Sequence, residues 1–125
     1  MNPLNYCTLE LSHKLVENGI VLETEAYWIK VSDSYKLVHS KYYLVQINFD
    51  CLPAPSFAEL WRELPETFAP RNHTHYLYMR KINNFMQAGY VVIKKGIWTP
   101  LINFEATNPA DALAELLIWV QKESK

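Results

Sequence analysis

At 125 residues, with 50% hydrophobic and 20% charged side chains, the chain reads as one globular domain spanning 1–125. A domain of that size buries roughly 65–70% of its unfolded surface, so no disulfide or metal is needed to complete a core. A formal net charge of −1 gives no broad field for holding nucleic acid or an anionic membrane, leaving only a local basic patch. Two cysteines, Cys7 and Cys51, are too few for a disulfide framework and lack metal-ligand spacing. No apolar run approaches the roughly 20 residues of a membrane span. The start at Met1 leads into no basic segment with an apolar run, so no signal peptide is expected. The expected location is the cytoplasm, with reduced thiols.

The first helix is expected within 1–19. Asn5 or Thr8 can cap it, and Gly19 can end it in the left-handed conformation. Leu9, Leu11, Leu15 and Val16 supply its apolar face, with Cys7 a small buried hydrophobe at its start. From 25 to 49 the pattern turns strand-like: Tyr27, Ile29 and Val31 alternate with Trp28, Lys30 and Ser32. Asp33-Ser34 suggests a turn, 35–38 a second strand, and 42–49 a third.

The segment 51–55 (CLPAP) reads as a rigid connection, since each proline forces its predecessor out of the helical region. Ser56 and Glu59 form the capping-box pattern for a short helix over 57–64, stopped by Pro65. A loop is expected over 66–74 and a strand over 76–82. Asn83-Asn84 then makes a turn, 86–94 a strand, Lys95-Gly96 another turn, and 97–104 a strand interrupted at Pro100. A proline there points to an edge or a bulge, where no ladder donor is lost.

The last helix, over 108–122, carries the clearest signals. Asn108 is a cap, Pro109 suits the first helical position, and Asp111 suits the positive end of the helix dipole. Ala110, Leu113, Ala114, Leu116, Leu117 and Val120 form a wide apolar arc that requires cover, opposite a narrow stripe of Asp111, Glu115 and Lys122. The order α-β-β-β-α-β-β-(β)-α, with short turns between strands, predicts an α+β fold. A mainly antiparallel sheet of four to six strands would be packed by helices.

Residues with chemical potential are few. His73 and His75 lie two apart, which on an extended segment aims both imidazoles to one face. A metal site needs three or four ligands, and His13, His39, Asp50 or Glu66 would have to be brought in by the fold. No metal and no cofactor is expected. Arg71, Arg80 and Lys81 interleave with Tyr76 and Tyr78, yet strand parity splits the charge between faces, which disfavours a nucleic-acid surface. Only three glycines are present, with no phosphate-cradling loop and no G-x-S-x-G elbow, so no catalytic residues are identified and an enzyme is disfavoured. In the last helix Ile118 falls within the polar stripe with Trp119 at its margin. An exposed Ile beside a Trp suggests contact with a partner chain.

Two segments, APSFAELWRELPE (54–66) and NPADALAELLIWV (108–120), resemble a group of small uncharacterised proteins encoded by bacteriophages, prophages and mobile elements. Members of that group carry a proline-capped helix of the type TLAELW-x-x-LP and a terminal helix of the type TPADALAxLLIWL. The resemblance implies a bacterial cytoplasmic setting and a phage origin, and supplies no catalytic residues to transfer. The leading expectation is a non-enzymatic interaction or accessory protein that forms a homodimer or binds another protein. The alternatives are a small-ligand or metal-dependent enzyme using the His73/His75 region, or an accessory protein for single-stranded nucleic acid.

Overall fold

A single 3-10 turn at Pro3–Asn5, capped by Asn2, opens the computed structural model, which describes residues 2–39, 51–70 and 73–124. Helix α1 (Leu9–Glu17) starts at Thr8, whose Oγ1 accepts from the Leu11 N–H, and it ends at Gly19 with φ +75°. Strands β1 (Ala26–Val31) and β2 (Ser34–His39) form a hairpin around Ser32 and Asp33, with Ser32 at φ +58°. The turn thus falls one residue before the expected Asp33-Ser34, because the Val31–Ser34 pair closes a two-residue loop. The expected strand at 42–49 lies outside the described residues. Instead β3 (Cys51–Pro53) pairs with β1, from Tyr27–Pro53 to Ile29–Cys51. The proline constraint that suggested a mere connection also favours extended backbone, and Pro53 ends the strand, where its missing donor matters least.

Helix α2 (Phe57–Glu63) has the capping box in full. Glu59 N–H donates to Ser56 Oγ at 3.2 Å, and Ser56 N–H donates to Glu59 Oε1 at 2.8 Å. A two-residue strand, β4 (Thr67–Phe68), follows inside the expected loop. Three long strands come next: β5 (His75–Ile82), β6 (Phe85–Lys94) and β7 (Ile97–Ala106). Strand β7 passes through Pro100 on the sheet edge, and the register shifts between Tyr90 and Val91, leaving Leu101 as the extra residue. The proline therefore meets both of its expected conditions.

The fold is α+β and its sheets are antiparallel. The strands divide between two sheets, ordered β2-β1-β3 and β4-β5-β6-β7, rather than joining in one. Helix α3 (Pro109–Glu123) lies against the larger sheet and also meets α1 and α2. Leu113, Leu116 and Leu117 are fully buried in a core shared with Leu60 of α2, Leu15 of α1, and Ala88 and Tyr90 of β6. Tyr90 is wholly enclosed, and its hydroxyl donates to the Pro65 carbonyl at 2.6 Å; burial pushes its pKa up to about 12. The smaller sheet has its own cluster of Tyr27, Val38 and Cys51.

The segment Tyr6–Thr8 joins these parts. Cys7 N–H donates to Pro55 O, Trp28 Nε1–H to Cys7 O, and Asn108 Nδ2–H to Tyr6 O at 2.8 Å. Thr8 N–H donates to the Asp111 carboxylate at 2.9 Å. Cys7 is fully buried, and burial raises its thiol pKa well above the ordinary value, so both its place and its low reactivity follow from packing. One polar atom in this region lacks a partner: Ser12 Oγ on α1 is enclosed with no hydrogen bond. Ser12→Ala removes that penalty along with the hydroxyl, and is expected to stabilise the protein by about 0.5–1 kcal/mol, measured as a higher urea midpoint at unchanged slope.

Candidate functional site

The register of the larger sheet decides which side chains are left for function. Leu77, Met79, Ala88, Tyr90, Ile102 and Phe104 share the inner face and pack against α3. The opposite parity gives an outer face whose character changes along the strands. Arg80, Gln87 and Glu105 form one row, linked by Arg80 Nε–H to Gln87 Oε1 at 2.8 Å and Gln87 Nε2–H to Glu105 Oε1 at 3.1 Å. Tyr78, Gly89 and Asn103 form the next row, with Tyr78 also donating to Gln87. Burial raises the Tyr78 pKa, while Arg80, beside its ring at 5.9 Å, pulls it the other way. Beyond these the face becomes apolar. Tyr76 is 52% exposed, Ile93 50% and Trp98 57%.

The second surface is a cleft of about 530 Å³ on the inner side, where α3 stops short of the far end of the sheet. Its floor is one row across all four strands. Phe68 pairs with His75, Val92 pairs with Thr99, and His75 falls one step past the Tyr76–Val91 pair. Trp119 and Glu123 of α3 form one wall, and Lys94 stands near the β6–β7 turn. Trp119 is braced by Phe68, ring to ring at 5.2 Å, and Phe68 in turn by Tyr90 at 5.7 Å.

The structure brings Trp119, His73 and His75 to this cleft together, which spacing could not show. His75 is 8% exposed, and its Nδ1 lies 2.9 Å from the His73 carbonyl. A carbonyl only accepts, so Nδ1 carries the hydrogen and neutral His75 keeps its lone pair on Nε2. No group of three or more His, Cys, Asp or Glu side chains suited to a metal occurs among the described residues. His13 instead packs edge-on to Tyr35, and His39 faces Glu25 at 4.0 Å.

Ile118 departs from expectation. It is 6% exposed, inside the main core, and so offers no open contact edge. The start of the polar stripe faces α1: Thr8 N–H reaches the buried Asp111, and Lys14 Nζ meets the partly exposed Glu115 at 2.8 Å, while Lys122 at its other end is exposed. Trp119, its neighbour, is half-buried. The outer-face residues Ile93 and Trp98 were missed because their exposure depends on how β6 and β7 pair. The parity shared by Tyr76, Tyr78 and Arg80 was the available signal.

No helix among the described residues is long and apolar enough to cross a membrane. No family model matches the chain, and neither a curated protein nor a solved structure matches it.

Proposed function

We propose that this chain is a non-enzymatic interaction protein that acts as a homodimer through the outer face of its larger sheet, in an accessory role for a phage or mobile element. The observation that carries this is the exposed apolar end of that face, Tyr76, Ile93 and Trp98, on the side opposite the one that α3 covers. Large apolar side chains grouped on one face lower the free energy of association when covered. Sheet-on-sheet packing is the natural cover for a twisted antiparallel face. The polar row supports a second copy in particular, because it holds a cation at one end and an anion at the other. A two-fold axis along the strands sets apolar end on apolar end and opposes Arg80 of one copy to Glu105 of the other. The same row argues against single-stranded nucleic acid, since Arg80 is already engaged by Gln87 and the face lacks a line of free cations among the described residues.

Trp98→Glu tests this, since an exposed site tolerates the change without loss of fold. Light scattering is expected to give a dimer for the parent at micromolar concentration and a monomer for the variant, with equal thermal midpoints. A parent that stays monomeric at every concentration reached, or a variant that dimerises equally well, overturns the reading.

A further inference from the structure

The inner cleft is a built site of a kind the outer face is not. Its volume of about 530 Å³ falls in the range of small-molecule pockets, mostly apolar with a few convergent polar groups. The polar groups divide by sign. Lys94 offers a cation and Thr99 a hydroxyl, while Glu123 offers an anion. His75 Nε2 adds a lone pair, and among the described residues it has no hydrogen-bond partner. Neither Lys94 nor Glu123 has an ion-pair partner among the described residues. The wall that carries Glu123 is also the C-terminal end of α3, where unpaired carbonyls present partial negative charge.

A phosphate is poorly served here, because it would meet Glu123 and the negative end of a helix. A simple aromatic carboxylate leaves Glu123 unused. The arrangement matches a molecule with one positive and one negative group on an apolar body.

We propose that this cleft binds an amino acid with an apolar or aromatic side chain, its carboxylate at Lys94, its ammonium at Glu123 and its side chain between Phe68, Val92 and Trp119. Fixing of the His75 ring by the His73 carbonyl keeps the floor preformed, so little ordering is lost on binding.

Three probes dissect this in the full chain: L-phenylalanine, 3-phenylpropionate, which lacks the amine, and phenethylamine, which lacks the carboxylate. Binding is read from the NMR shifts of the Trp119 indole and the Val92 and Thr99 methyls. Phenylalanine is expected to saturate these signals, with each truncated probe at least about fivefold weaker. Lys94→Gln should weaken phenylalanine and 3-phenylpropionate while sparing phenethylamine, and Glu123→Gln should do the converse. Both replace exposed side chains, and an unchanged thermal midpoint verifies the fold. If 3-phenylpropionate binds as tightly as phenylalanine, or no probe gives a saturable shift at these three residues, the proposal is overturned. A dimerisation-defective Trp98→Glu chain should bind phenylalanine normally, which separates this site from the outer face.

Discussion

Gly89→Ala is expected to destabilise the protein by about 3 kcal/mol or more. Gly89 sits mid-strand in β6, opposite Asn103 of β7. A Cβ there would run into the Ile102 carbonyl oxygen and come within 3.0 Å of both Cα and Cβ of Asn103. These are backbone or backbone-proximal atoms of a paired strand, so no rotamer change relieves the contact. The strands must separate, and the inner-face pairs Ala88–Phe104 and Tyr90–Ile102 on either side would be disturbed with them. Denaturant unfolding should show a lower midpoint. Loss of amide-exchange protection centred on β6 and β7 would distinguish this cause from a general softening. An unchanged midpoint would mean that the close approach of the two strands is not required.

Asp111 provides the second large effect. Its carboxylate is buried and accepts from the Thr8 N–H, while Thr8 Oγ1 accepts from Leu11. Asp111→Ala orphans the Thr8 N–H in a partly buried setting, with an expected loss of about 2–3 kcal/mol. Asp111→Asn keeps an acceptor and should remain within about 1 kcal/mol of the parent. The pH dependence separates charge from hydrogen bonding. Burial is the largest influence on Asp111 and raises its pKa above the ordinary carboxylate value; the bonds from Thr8 oppose it. The folded state therefore holds this proton more tightly than the unfolded state does. Its ionisation weighs against folding above the folded pKa, and that penalty disappears as pH falls through the folded and then the unfolded value. The asparagine variant lacks this proton, so its stability relative to the parent should be highest near neutrality and decline under acid. A difference that is flat with pH would place the role of Asp111 in its hydrogen bonds alone.

Local signals were the legible part of this fold. The caps at Thr8, Ser56 and Asn108, the stop at Gly19 and the edge position of Pro100 are each decided within a few residues, and each stands where its chemistry required. What the sequence hid were features set by distant partners. Polarity alone points Asp111 to solvent, yet a carboxylate can be buried when a helix cap donates to it. That reading misplaced Ile118. Strands β3 and β4 are too short to show alternation and exist through pairing with β1 and β5. The row Phe68, His75, Val92 and Thr99 spans three connections, so no spacing rule could have gathered it. His73 and His75 stood out correctly as neighbours on one strand entry, but what surrounds them came only from the sheet.

The hydrogen bond from Thr8 to Asp111 joins positions 103 residues apart. During synthesis the segment Tyr6–Thr8 emerges first, and its partners at 108–111 emerge roughly 5–20 s later at ordinary elongation rates. Until then α1 lacks the helix it docks on, and Leu11 and Leu15 have no finished core to enter. Docking of the early segment and of α1 onto α3 therefore waits for the late part of the chain. Refolding from denaturant should accordingly be slow for a chain of this size, with closure of that long loop as its barrier.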